Sequence, residues 1–330
     1  MRKISIALLA GLLSLGCLNA QDAKVETNQF TVVKELPITS IKDQGNSGTC
    51  WSYSTIGFLE AELLRMGKPE YDLSDMFVVS HSYRDKADKY VRLHGKLNFG
   101  QGGSFYDVLY VFKHYGAVPE EVMTGLNYGT KRNAHNEMAD AAKGYLDAIV
   151  KNSNEKLSPI WRKAFGAMID GYLGELPQSF TYKGKSYTPM TFAKSLGINA
   201  DDYVSLTSYT HHPFYTKFGL EIEDNWRWSE SYNLPIDELM QVMRNAIQTG
   251  YPIAWGDGIG VLADVEAIET AGSDQARWIG LSTAARRAEI LNQINTPNCP
   301  EINPTQEYRQ KCFDNYTLTD DHGMVIYGMA

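Results

Sequence analysis

Residues 42–51 read KDQGNSGTCW, a glycine-punctuated loop that runs directly into a cysteine. A helix is predicted from Cys50 onwards, because apolar residues follow at three- and four-residue steps: Ile56, Leu59, Leu63 and Met66. A cysteine at the start of a helix lies beside unpaired backbone N–H groups and the positive end of the helix dipole, which both favour a thiolate. The stretch therefore predicts a nucleophilic thiol at Cys50. A buried structural cysteine after an ordinary turn is the alternative interpretation.

Gln44 lies six residues before Cys50 on the same loop. Its amide can donate a hydrogen bond towards the oxygen of a tetrahedral intermediate, beside the backbone N–H of Cys50. We therefore expect Gln44 to take part in catalysis as an oxyanion donor.

A thiol nucleophile needs a base that accepts its proton and returns it to the leaving amine, and histidine is the usual one. Among seven histidines, His322 follows two aspartates and precedes Gly323 and an apolar run, residues 324–327, that predicts a strand. This position favours His322 as the base.

The segment Gly48-Thr49-Cys50-Trp51 with Gln44 upstream resembles the active-site signature of papain-like cysteine peptidases. The resemblance is closest to the bleomycin hydrolase and bacterial aminopeptidase C branch, although Ser47 stands where papain has a second cysteine. It implies a two-lobed α+β fold, with Cys50 on a helical lobe and His322 on a sheet-containing lobe. The two residues are 272 positions apart, against about 130–150 in papain-type enzymes. A large helical insertion, residues 129–233, accounts for the excess.

The same resemblance implies further properties of the site. Gly102 and Gly103 would line the substrate groove, where glycine lets a peptide backbone approach closely; a simple turn is the alternative. The implied activity is an aminopeptidase that uses no cofactor and forms a thioester acyl-enzyme with peptide substrates. An endopeptidase of the same fold and a catalytically impaired peptide-binding homologue are alternatives. Relatives of this branch often form hexamers, so we expect a homo-oligomer.

Domain organisation follows from these features. We expect a signal peptide over residues 1–20, a polar arm over 21–35, the helical lobe over 36–128, the insertion over 129–233, and the start of the sheet-containing lobe over 234–330. The family's orienting asparagine and C-terminal tail would lie beyond residue 330. The C-terminal part of the lobe is therefore expected to be missing.

Composition excludes some partners and sites. The net charge of −8 opposes a nucleic-acid partner. No His-Glu-x-x-His or Cys-x-x-Cys spacing occurs, so no metal site is predicted. The pair His211-His212 is interpreted as a surface loop.

The N-terminus and the remaining cysteines bear on localisation. Arg2 and Lys3, a short apolar stretch and a small-residue site ending at Ala20 predict a cleaved signal peptide, hence a periplasmic or secreted protein without a membrane span. Lipid attachment at Cys17 is the alternative. Cys299 and Cys312 are close enough in sequence to form a disulfide in an oxidising compartment; two buried free thiols are the alternative.

Overall fold

The structure is a computed structural model and describes residues 30–257, 304–320 and 322–330. A short strand, β1 (Lys34–Glu35), precedes the three helices that form the first half of the described chain: α1 (Cys50–Arg65), α2 (Asp75–Arg92) and α3 (Phe105–His114). Helix α1 agrees with the helix that the apolar spacing predicts from Cys50 onwards.

Local chemistry determines where these helices begin and end. Ser74 caps α2, since its hydroxyl accepts a hydrogen bond of 3.0 Å from the backbone N–H of Phe77. Gly67 follows the end of α1 with a φ of 73°, a conformation that glycine adopts without steric cost. On α1 the predicted apolar stripe is buried at Ile56, Leu59 and Leu63, whereas Met66 at the helix end is exposed.

The next part of the chain alternates helices with a hairpin. Its elements are α4 (Asn136–Lys151), α5 (Ile160–Leu173), the antiparallel strands β2 (Phe180–Tyr182) and β3 (Lys185–Tyr187), and α6 (Pro189–Leu196). Leu146, Phe165 and Phe192 from this part are buried in one hydrophobic cluster with residues of α1, α2 and α3. The helical part of the predicted insertion therefore packs directly on α1, the helix that carries Cys50, and on α2 and α3, whereas residues 206–233 of the insertion form strands.

The remaining elements are mostly strands. They are β4 (Leu206–Thr207), β5 (Lys217–Gly219), β6 (Glu230–Asn233), α7 (Ile236–Thr249), β7 (Ile253–Asp257), α8 (Gln306–Asp314), β8 (His322–Ile326) and β9 (Gly328–Met329). Strand β6 lies between β4, to which it is parallel, and β5, to which it is antiparallel. Strand β9 pairs with β1, so the end of the predicted polar arm is part of a sheet.

The antiparallel pair β7–β8 positions the predicted base. Strand β8 agrees with the strand predicted after His322 and packs against α1. Gly57 of α1 faces β8: a Cβ there would lie 3.6 Å from Val325 Cγ2, an ordinary contact distance. The fold therefore brings the start of β8 to the start of α1.

The structure bears on two further predictions, the lack of a membrane span and the Cys299–Cys312 disulfide. Within the described ranges, no helix combines the length and apolar character that crossing a bilayer requires. Cys312 is a buried free thiol, and Cys299 lies outside the described residues, so their disulfide stays a prediction. Residues 1–29, which include the predicted signal peptide and Cys17, also lie outside them.

Candidate active site

Cys50 is the first residue of α1, as predicted, and its thiol is free and half-buried. Thr49 precedes the helix and provides no side-chain cap, while its carbonyl accepts the backbone N–H of Ser52 at 2.9 Å. The sulfur thus lies at the end of the helix where backbone N–H groups are directed outwards.

The loop before Cys50 is closed on itself by Gln44 and Ser47. The Gln44 amide donates to the Ser47 carbonyl at 2.8 Å, and the Ser47 hydroxyl donates to the Gln44 carbonyl at 2.8 Å. Gly45 has a φ of 65°, and a Cβ there would lie 2.7 Å from the carbonyl oxygen of Asn133. Glycine is therefore required at position 45, and the turn holds the Gln44 amide on the loop that leads to Cys50.

Gln101 connects the cysteine loop to the glycine loop. Its side-chain oxygen accepts the backbone N–H of Gly48 at 2.7 Å, and its backbone carbonyl accepts the indole N–H of Trp51 at 3.0 Å. Its side-chain amide donates to Asn136 at 2.9 Å. The sequence analysis assigned a role only to the glycines beside Gln101. A long polar side chain between glycines could have indicated that Gln101 connects two loops.

The two glycines predicted to line a groove have different surroundings. Gly103 is buried, and a Cβ there would lie 2.8 Å from Trp51 Cε2. Gly102 is half-buried, and a Cβ there would lie 2.0 Å from a carboxylate oxygen of Asp224. The structure therefore places both glycines beside the start of α1, where neither position has room for a side chain.

His322 is half-buried and immediately precedes the glycine that contacts Cys50. The backbone N–H of Gly323 favours the ionised form of the Cys50 thiol and so acts to lower its pKa. A Cβ at Gly323 would lie 3.2 Å from the Cys50 carbonyl oxygen and 2.6 Å from Ser54 Oγ. The fold thus brings the chain around His322 against Cys50 despite their separation in sequence.

The electrostatic environment of Cys50 opposes the expected thiolate. Burial raises the pKa of the Cys50 thiol, backbone N–H groups of Gly323 and Trp51 lower it, and the negative charge of Asp224 raises it again, with a net increase. The prediction considered only the helix start and therefore gave the wrong direction of the shift. A base has to take the thiol proton before attack.

Asp224 is a residue of the site that sequence reasoning missed. Its half-buried carboxylate lies against Gly102 and acts electrostatically on Cys50. Burial raises the pKa of Asp224 to about 7, and the negative charge of Asp320 adds to this increase. No local motif marks Asp224, because only the tertiary fold brings residue 224 to the glycine loop.

His211 and His212 form a compact group with Glu221. Their Nε2 atoms lie 3.0 Å and 2.8 Å from the two oxygens of the Glu221 carboxylate, an arrangement in which a metal ion could be bound. His211 Nδ1 lies 3.0 Å from Gln310 Nε2 and 3.3 Å from Gln310 Oε1, so the tautomer of His211 determines which of the two is its hydrogen-bond partner. A His211 that accepts at Nδ1 carries its proton on Nε2, where it donates to Glu221. The three side chains thus form hydrogen bonds with one another and are also close enough together to ligate a metal ion, a possibility that the sequence analysis did not predict.

Comparisons with known proteins agree with this geometry. Residues 26–158 match the family described as papain family cysteine protease. The chain is 23% identical over 269 residues to aminopeptidase G of Lactobacillus delbrueckii subsp. lactis, covering 68% of this chain and 60% of that protein. It is 24% identical over 275 residues to aminopeptidase E of Lactobacillus helveticus, with the same coverage. The chain thus spans about 60% of the length of these curated relatives.

A solved structure shows the fold. The crystal structure of PepW from Lactobacillus rhamnosis matches with a TM-score of 0.63 and 19% sequence identity, covering 90% of this chain and 72% of that one. The papain-like α+β fold implied by the sequence is therefore confirmed. We conclude that residues 26–158, which include the cysteine loop and α1, match a papain family cysteine protease in sequence, and that the chain has the papain-like fold.

Proposed function

We propose that this protein is a cysteine peptidase that releases residues from the N-terminus of peptides, with Cys50 as nucleophile and His322 as base. The observation that carries the proposal is the contact between Gly323 and Cys50, which brings the residue next to His322 to the thiol. The family match and the aminopeptidase relatives support the reaction type.

The chemistry begins with the thiol proton. His322 takes it, and the resulting imidazolium compensates for the burial that raises the pKa of Cys50. The thiolate attacks the carbonyl carbon of the scissile peptide bond and forms a tetrahedral intermediate. The backbone N–H of Cys50 and the amide of Gln44 donate to its oxyanion.

The intermediate then collapses to an acyl-enzyme. The C–N bond breaks, the leaving amine takes the proton from His322, and the acyl group stays on the Cys50 sulfur as a thioester. Water loses a proton to His322 and attacks this thioester, which releases the product and restores the thiol. All proton transfers use one imidazole, so the reaction needs neither cofactor nor metal.

Gly102 and Gly103 are proposed to bind the substrate main chain. Trp51 packs beneath Gly103 and Gln101 holds the loop to Gly48, so the backbone of this loop is fixed relative to Cys50. A fixed loop that lacks side chains lets an extended peptide approach closely.

Export to the periplasm or the medium is also proposed, on the basis of the N-terminal sequence. Mass spectrometry of the mature N-terminus distinguishes cleavage after Ala20 from lipid attachment at Cys17. The mass of the purified protein in solution tests the homo-oligomer expected from the family resemblance.

Hydrolysis of matched fluorogenic substrates tests the proposed activity. We expect the full-length protein to cleave aminoacyl amides with a free amine, and Cys50→Ala to abolish the cleavage. Cys312→Ala is the control, since it removes a buried thiol that lies on α8 and should leave the activity unchanged. Cleavage of N-acetylated peptides at internal bonds would favour the endopeptidase. Absence of cleavage with either substrate class would refute the proposal.

A further inference from the structure

The carboxylate of Asp224 covers the exposed side of Gly102. A Cβ built on Gly102 would lie 2.0 Å from Asp224 Oδ1 and 2.1 Å from Oδ2, so the carboxylate lies in direct contact with the Gly102 backbone. An extended peptide that continued along the glycine loop would meet this carboxylate. Asp224 therefore limits how far a substrate can extend past Gly102.

The turn that carries Asp224 is held in place on several sides. The Asp224 backbone N–H donates to the Asp320 carboxylate at 3.0 Å. Arg227, three residues later, forms ion pairs with Asp85 at 2.7 Å on α2 and with the buried Asp107 on α3. The side chain of Asn225 closes the turn by donating to the carbonyl of Ser229 at 2.9 Å. The carboxylate is thus fixed relative to the helices behind the cleft, as a recognition group must be.

The Asp224 carboxylate lacks a partner within the part of the chain that the structure describes: neither of its oxygens accepts a hydrogen bond or forms an ion pair there. The nearby cation Lys86 is buried under the loop, where its ammonium donates to the carbonyls of Gly100 and Gly102. A half-buried carboxylate without a partner costs free energy, which an incoming cation recovers.

The pKa of Asp224 agrees with a carboxylate that is costly to ionise in this position. Burial raises the pKa of its carboxyl group to about 7, with Asp320, Asp107 and Glu223 adding to the increase and Lys86 opposing it. A cation bound against the carboxylate would favour the ionised form.

We propose that Asp224 binds the protonated α-amine of the substrate's N-terminal residue and is a specificity-determining residue of this peptidase. The carboxylate contacts the backbone of the groove glycine, which is the side that a substrate main chain approaches; a main-chain ammonium therefore fits better than a basic side chain. The inference rests on the proposed function, because it assumes that Gly102 lines the substrate groove beside Cys50.

Covalent labelling of Cys50 tests this inference without turnover. The probes are alanyl chloromethyl ketone and its N-acetylated form, and the measured quantity is the ratio of their labelling rates on the full-length protein. We expect Asp224→Asn to lower the free-amine rate at least about tenfold, the range of one lost charge-assisted contact. The acetylated probe should react as fast as before or faster. Glu230→Gln is the control, since it removes an exposed carboxylate on β6 and should leave the ratio unchanged.

Two results would overturn the inference: unchanged rates for both probes in Asp224→Asn, or an equal fall in both rates, which would show that Asp224 only supports the fold. Asp224→Ser provides a second variant, and thermal melts verify that both variants are folded. The ratio tests Asp224 even if the protein hydrolyses no peptide, so a failure of the proposed function can be told apart from a failure of this inference.

Discussion

Gly323 packs directly on Cys50, since a Cβ on Gly323 would lie 3.2 Å from the Cys50 carbonyl oxygen, although the two residues lie near opposite ends of the described chain. This contact requires glycine, since a Cβ at position 323 would lie 2.6 Å from Ser54 Oγ. Ser54 is fixed in turn, because its hydroxyl donates to the Cys50 carbonyl at 2.7 Å. The start of β8 and the start of α1 are therefore fitted to each other within a few tenths of an ångström.

Gly323→Ala is expected to displace β8 from α1. Overpacking a fitted contact costs roughly 1–3 kcal/mol of folding free energy. A shift of the neighbouring His322 is expected to lower kcat/KM roughly 10–100-fold, as a displacement of about 1 Å does for reacting groups. Urea unfolding and peptide hydrolysis measure the two effects.

The double variant Gly323→Ala/Ser54→Ala provides the control. Removing Ser54 Oγ removes the closest clash, so we expect the double variant to recover part of both the stability and the activity. If the two substitutions were simply additive, the fitted contact would not be the cause of the defect.

Gln101→Met is expected to loosen the cysteine loop. The substitution keeps the size of the side chain but leaves the backbone N–H of Gly48 without its acceptor and Asn136 without its donor. We expect a loss of about 1–2 kcal/mol in the free energy of unfolding and slower labelling of Cys50. Unchanged labelling would show that Gln101 does not position the loop.

Lys42→Met is expected to destabilise the fold strongly. The Lys42 ammonium lies 3.0 Å from Glu60 and 3.4 Å from Asp75, whose carboxylates are buried. Removing the cation leaves these charges uncompensated, so we expect a loss of about 3–5 kcal/mol. Arg132→Met is the matched control, because it breaks an exposed ion pair with Asp43, the residue next to Lys42, and should cost far less. Equal losses in both variants would contradict the role of burial.

The free energy of unfolding should fall as the pH rises, over the pH range in which Asp224 titrates. Its carboxyl group has a pKa of about 7 in the folded state, against about 3.9 when unfolded. The folded state therefore binds more protons than the unfolded state between these two pH values. The contribution of Asp224 to the free energy of unfolding is fully present below about pH 4 and is lost as the pH rises through about 7.

Urea unfolding of the wild type and Asp224→Asn checks this sign. Between about pH 5 and pH 7.5 we expect the variant to gain about 1–2 kcal/mol relative to the wild type, after allowance for solvent screening. Asp75 and Glu120, whose pKa values burial raises to about 7, are present in both proteins and cancel in the difference. A difference that does not change with pH would contradict the raised pKa of Asp224.

Structural features that depend on one short segment could be predicted from the sequence. The start of α1 at Cys50 follows from a glycine-rich loop and apolar spacing, and β8 follows from the apolar run after His322. The end of α1 at Gly67 and the start of α2 at Ser74 likewise have local steric and hydrogen-bonding causes. These features depend on neighbours within a few residues.

Other features could not be read from the sequence because they depend on distant contacts. Asp224 reaches the glycine loop through a turn that is held by Arg227 and Asp320. Burial at the junction of α1 and β8 raises the pKa of Cys50, whereas the helix start alone predicted a decrease. Both depend on desolvation and on charges from distant parts of the chain.

The rate of Cys50 carboxamidomethylation as a function of pH tests the central claim most directly. If His322 takes the thiol proton, wild-type Cys50 should react with iodoacetamide well below the ordinary thiol pKa of about 8.5. In His322→Ala the profile should move above that value, since burial and Asp224 both raise the pKa of the thiol. Superimposable profiles for the two proteins would contradict a Cys50–His322 pair.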